Sequence, residues 1–207
     1  MKIEGFRVTP IAITDPPLRN AAGLHAPYAL RIVLELLANN GIAGVSEIPG
    51  DVRTEDALKS IGEKLIGTDP VNINSVSEAI ANQATTQELR GSEPWDRRVS
   101  VHAQSAFEVA ALDLVGKHLG LRVCDLLGGA VRDRIPFAAY LFYKERGAGG
   151  DLGFDIDTKA QTWPATRQSA ALDPAAIVRQ AKAMIDEFGF ESTQLPSAKA
   201  EGLACVG

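Results

Sequence analysis

The sequence predicts an α+β fold: a three-stranded antiparallel sheet with a helical bundle, followed by the opening of a βα repeat. Three observations predict it. Residues 28–50 alternate apolar and polar around a turn signal. Residues 98–118 carry the longest helical period in the chain. Residues 134–143, RIPFAAYLFY, are almost continuously apolar and precede a second clear helix.

The first element, KIEGFRVTPIAITD, sets Ile3, Gly5 and Arg7 against Phe6 and Val8 and reads as a strand that turns at Pro10. Next comes a hairpin. Ile32, Leu34 and Leu36 alternate with Val33, Glu35 and Leu37, Asn39-Asn40-Gly41 tolerates positive φ, and residues 42–48 return. TEDALKSIGEKLIG reads as a helix with Thr54 as N-cap, Ala57, Leu58, Ile61 and Leu65 on one face, and Gly67 as its stop. A further helix is expected to start at Asp69-Pro70. In the long helix Val99, Ala103, Ala106, Phe107, Ala110 and Leu114 share a face, and Gly120 ends it. VCDLLGG is a short helical turn closed by two glycines, with Cys124 as a small core-side hydrophobe.

The run 134–143 fits a strand buried on both faces. Residues 145–172 are glycine-rich, polar and aperiodic, and read as a long loop. The helix at 173–190 has Asp173 as cap and turns Ala176, Ile177, Ala181, Met184, Ile185 and Phe188 inward; ESTQL follows as a weak strand.

Composition excludes several classes. Net charge is -5 and the longest basic cluster is Arg97-Arg98, too short for a nucleic-acid patch. No apolar run approaches the roughly 18 residues that span a bilayer. The N-terminus lacks a signal-type apolar stretch, and Cys124 and Cys205 form no disulfide framework. A cytoplasmic protein with no nucleic-acid or membrane partner is expected.

Three stretches go beyond generic folding: NAAGLHAPYALR with SEIPGD behind it, SAFEVAALDLVGKHLGLRVCDLLGG, and AAYLFYK. In the second, Ala106, Ala110, Asp113, Gly116 and Gly120 precede LLGG. Together they resemble the enolase superfamily in its mandelate racemase and muconate lactonizing branch. The first and third, through GLHAPY, EIPG and YLFY, are similar to glucarate dehydratases. The resemblance covers residues 1–193.

It implies a capping domain over 1–132 and the start of a (β/α) barrel over 133–207, incomplete and with an aberrant tail from about 192. The active site would lie at the C-terminal ends of the barrel strands, under loops from the cap. The family reaction implied is proton abstraction next to a carboxylate, with the enediolate stabilised by Mg²⁺ and loss of a β-hydroxyl from an acid sugar. His25 and Tyr140 fall on substrate-contacting positions, whereas a family threonine falls on Pro94.

The family's Lys-x-Lys strand, whose second lysine is the base, falls on Gln194 and Pro196, neither of which takes up a proton. A full barrel needs roughly 250 residues, and the chain has 207 in all. The expectation is therefore a truncated or frameshifted chain that binds no magnesium and does not turn over. Homo-oligomers, association with an intact paralogue, or a non-catalytic binding role are the implied partnerships. A related dehydratase or racemase of other specificity is the remaining alternative. Glu47 and Asp51 read as loop-polarising or solvated rather than as a catalytic pair, and His118 as a structural residue near a helix C-terminus.

Overall fold

A computed structural model describes residues 1–14, 16–20, 23–24, 28–81, 99–147 and 163–194. The chain divides into two compact units, one of residues 1–12 with 30–131, the other of residues 13–29 with 132–207.

The first unit is built on a three-stranded antiparallel sheet. Strand β1 (Ile3–Thr14) is an edge strand, and the hairpin of β4 (Tyr28–Ala38) and β5 (Ala43–Pro49) completes the order β1-β4-β5. The register runs from Arg31 opposite Pro49 to Leu37 opposite Ala43. Between the hairpin strands Gly41 takes φ 80°, a conformation open to glycine at no steric cost. The period-two pattern holds: Ile32, Leu34, Leu36 and Ala38 are buried, and the intervening residues are not. Pro10 does not end β1. On an edge strand a proline's missing N–H can face away from the ladder, so the strand continues to Thr14.

Three helices cover the inner face of the sheet. Helix α1 (Val52–Leu65) presents Leu58, Ile61 and Leu65. Its N-cap is Asp51, whose Oδ1 accepts the Thr54 N–H at 2.7 Å. Thr54, the cap expected from sequence, is thus the third helical residue and is buried. Helix α2 (Ile73–Ala81) starts later than Asp69-Pro70, with Asn72 Oδ1 accepting the Ser75 N–H. Asp69 and Pro70 form the turn before it, and Pro70 is fully buried.

Helix α3 (Val99–Leu119) buries Ala103, Ala106, Phe107, Ala110, Ala111 and Leu114 against sheet residues Leu34 and Leu36 and against α1 and α2 in one core. Its alanines let it lie close to β5. A Cβ on Gly44 would strike the Ala110 carbonyl and lie 2.6 Å from Leu114 Cβ. Gly120 ends α3 at φ 67°, and α4 (Val123–Leu126) follows, closed by Gly128 and Gly129 at φ 106° and 102°. Cys124 on α4 is only half-buried, and no residue of that single turn is buried, so it is not the core residue expected.

The second unit opens with a short hairpin, β2 (Arg19–Asn20) paired with β3 (Gly23–Leu24). Its remaining elements are β6 (Ala138–Tyr140), α5 (Trp163–Gln168), α6 (Pro174–Phe188) and β7 (Ser192–Gln194). Strands β6 and β7 pair in parallel, with α6 as the crossover, which is one step of a βα repeat.

Asp173 caps α6 through the Ala176 N–H at 2.8 Å, and Gly189 at φ 68° closes it. Two expectations fail here. Residues 145–172 are not all loop, because 163–168 form α5. The apolar run 134–143 is not buried on both faces: Ala139 and Leu141 are buried, while Ile135 and Phe137 are 68% and 69% exposed. On α6 the buried side chains are Ala176, Ile177, Gln180 and Ala183, while Ile185 and Phe188, expected inward, are exposed.

Candidate functional site

The candidate site lies within the second unit, at the C-terminal end of β6. In a βα repeat the strand C-termini gather loops and side chains that a ligand can meet, while the strand bodies pack. Tyr140 ends β6 and is half-exposed. Its ring meets Phe142 edge-on, with centroids 4.7 Å apart at 84°. On the neighbouring strand Gln194 is its register partner, and the backbone continues the pairing from Leu141 N to Gln194 O at 2.7 Å. Period-two alternation puts Tyr140 and Gln194 side by side on one face.

The extension of β6 holds the hairpin that leads to His25. Arg19 N donates to Tyr143 O at 2.7 Å, Glu145 N donates to Pro17 O at 3.0 Å, and Leu18 bridges Lys144. Arg19 also pairs with Glu145, Nε donating to Oε1 at 2.9 Å with Nη2 on the same oxygen. His25 itself, one residue past β3, lies outside the described residues, as do Pro94, Pro196 and Cys205. Tyr140 and Gln194 are therefore the predicted site residues that the structure brings together.

Lys144 escaped the sequence reading. It is buried, and its Nζ donates to Thr166 O and Arg167 O at 2.8 Å each and to Ser169 O. Burial and the nearby Arg167 guanidinium pull its pKa down to about 8. Its only sequence signal was a single charge closing the apolar run AAYLFYK.

The other polar candidates have structural partners, all in the first unit. Glu47 pairs across the hairpin with Arg31, whose hydrogen bond holds the carboxyl below its usual range. Asp51 is the α1 cap. His118 Nδ1 lies 3.2 Å from Asn40 Nδ2 in the hairpin turn. Asp113 accepts Val45 N–H at 2.8 Å and Lys117 Nζ at 2.6 Å.

Among the described residues, no group of three or more His, Cys, Asp or Glu side chains comes together as metal ligands. Those residues do not by themselves fit a hard divalent cation, which takes several oxygen donors. No described helix is long and apolar enough to cross a membrane.

Residues 3–128 match the family model described as mandelate racemase / muconate lactonizing enzyme, N-terminal domain. A probable glucarate dehydratase of Streptomyces coelicolor is 36% identical over 94% of this chain and 45% of its own length. An enolase of Pseudomonas fluorescens, crystallised with magnesium, potassium and tartrate, superimposes with a TM-score of 0.78 at 37% identity, over 96% of this chain and 46% of that one. An enolase of Thermobispora bispora, crystallised with magnesium and formate, gives a TM-score of 0.77 at 39% identity, over 95% and 45%. The chain thus spans less than half the length of these relatives.

Proposed function

This chain belongs to the mandelate racemase / muconate lactonizing enzyme family of the enolase superfamily, and from that premise we propose that it carries the cap and first-strand elements of an acid-sugar dehydratase of the glucarate dehydratase kind. The observation that carries the reading is the hairpin of β2 and β3, tied through residues 17–19 to Tyr143, Lys144 and Glu145 in the segment that follows the half-exposed Tyr140. That arrangement gives a substrate one hydroxyl donor and a cover for it, in the place where the fold concentrates chemistry. The relative that is a probable glucarate dehydratase supports the substrate class.

The reaction removes a proton next to a carboxylate and then expels a β-hydroxyl. In this chain Tyr140 serves as the contact to a substrate oxygen, with Phe142 holding its ring, and His25 falls on the family's other substrate-contacting position. Magnesium, present in the crystallised enolases, would neutralise enediolate charge. The described residues supply no ligand set for it.

By the resemblance the first lysine position falls on Gln194, the register partner of Tyr140, and the second, the base, on Pro196. A neutral amide donates and accepts hydrogen bonds but takes no proton at neutral pH. The chain is accordingly proposed to contact substrate without turning it over. Saturation-transfer NMR with glucarate tests the contact: transfer to the ligand in the parent chain that falls severalfold in Tyr140→Phe supports the reading, and equal transfer in both sinks it.

The same glutamine supports a second reading, a non-catalytic partner that associates with itself or with an intact relative. Sedimentation of the purified chain, alone and mixed with a full-length glucarate dehydratase, discriminates the two.

A further inference from the structure

We propose that Lys144 is a positioning residue that joins two segments on either side of it, fixing the hairpin to the segment that follows β6 by anchoring helix α5. The proposal deepens the reading above, on which it rests for the hairpin's role as a substrate cover.

Three features converge on this one residue. Its backbone pairs on one side with Ala171, N to O at 3.1 Å and O from N at 2.9 Å, and on the other side bridges Leu18. Its side chain turns to α5 and donates to the carbonyls of Thr166, Arg167 and Ser169. The next residue, Glu145, then carries the hairpin through Pro17 O and the Arg19 guanidinium.

Helix α5 has six residues, too few to hold itself in water. Its last carbonyls have no partner within the helix, and an ammonium with three hydrogens fits three such oxygens. Around it the charged groups are Arg167 on α5, Arg19 on the hairpin and Glu145 next in the chain. Among the described residues its three side-chain hydrogen bonds all run to backbone carbonyls. Remove the Nζ, and α5 loses its anchor. Residues 144–147, held by Ala171 and Gln168 on the α5 side, then lose the base from which the hairpin hangs.

The test is amide hydrogen exchange by mass spectrometry on the full chain, comparing the parent with Lys144→Met and Glu145→Gln. Peptides over 16–20, 163–171 and the first-unit helix 99–119 are followed. In Lys144→Met both the hairpin and α5 peptides are expected to exchange roughly tenfold faster or more, with 99–119 unchanged. Glu145→Gln should speed the hairpin peptide alone.

If Lys144→Met speeds α5 but leaves the hairpin protected, Lys144 is a helix cap only and the proposal fails. It fails equally if neither peptide changes. Should Lys144→Met unfold the second unit, the parent chain decides between pH 7 and 9.5. Closing the site around Lys144 favours its neutral form, because its folded pKa lies near 8. Corrected protection of both peptides should then rise together as pH passes that value. Neither a guanidinium nor a carboxylate changes charge in that window. A rise confined to α5, or absent from both, overturns the coupling. Because the readout is exchange and not substrate contact, a failed glucarate experiment would leave this result standing on its own.

Discussion

The carboxylate of Asp113 on α3 accepts the backbone N–H of Val45 at 2.8 Å on the outer strand β5. Lys117, one turn on, donates to Ala43 O at 2.9 Å on the same strand. A helix thus covers with side chains an edge that would otherwise offer its amides to another strand. Asp113→Ala should cost about 1 kcal/mol, since it removes the acceptor of an exposed strand N–H and the partner of Lys117. Asp113→Asn keeps an acceptor and should recover most of that. Urea denaturation of the three proteins checks the order; equal midpoints would mean that water replaces the carboxylate.

The closeness of α3 to β5 depends on Gly44. An added Cβ there meets the Ala110 carbonyl and Leu114, which are backbone and helix body and cannot swing aside. Gly44→Ala should therefore destabilise the first unit by roughly 3 kcal/mol, in the range of overpacked cores. Gly41→Ala meets nothing within 4 Å but must adopt φ 80°, so about 1 kcal/mol is expected. Thermal melts followed by circular dichroism should rank the pair in that order.

Asp51 caps α1, and replacing it by alanine should lower stability by about 1 kcal/mol. Thr54→Ser, which leaves the capped N–H in place, should change it by less than half as much. A larger loss in Thr54→Val than in Asp51→Ala would move the capping role back to the residue that the sequence favoured.

Lys144 makes the second unit's stability depend on pH, in a direction that follows from its depressed folded value. Between about 8 and the unfolded value of 10.5, the unfolded chain binds the proton that the folded chain has released. Stability therefore rises with pH across that window. The gain is at most about 3 kcal/mol. The difference in urea midpoint between the parent and Lys144→Met should shift in that sense from pH 7.5 to pH 10. A constant difference would mean the lysine is not buried in solution.

The purified chain should show no turnover of glucarate in the presence of Mg²⁺ if, as proposed, Gln194 and Pro196 fall on the family's lysine positions. Product formation that a chelator abolishes would overturn this.

Legibility in the sequence tracked the length and regularity of each element. The hairpin around Asn39-Asn40-Gly41 and the long helix α3 announce themselves through period and turn chemistry repeated over many residues. Pro10 misled because a proline reports a missing donor, not whether the strand lies at an edge. Helix α5 was missed since six residues are under two turns, leaving no period to see. Ile185 and Phe188 matched a helical stripe, yet the face that packs on Leu141 and Ala171 runs through Ala176 and Ile177. Tyr140 and its neighbourhood were found by motif resemblance. Lys144 could not be, because its three acceptors are backbone carbonyls and carry no residue identity.

The ion pair of Arg19 with Glu145 joins residues 126 positions apart, and that separation sets a clock. At roughly 5–20 residues per second of synthesis, the hairpin leaves the ribosome on the order of ten seconds before its anchor exists. The sheet and helices of residues 1–12 and 30–131 can assemble meanwhile, while the hairpin has nothing to hold. For that interval residues 16–20 are a peptide awaiting its dock, open to chaperones and proteases. A cell that slowed translation between codons 20 and 145 would lengthen the exposure without altering one atom of the finished protein.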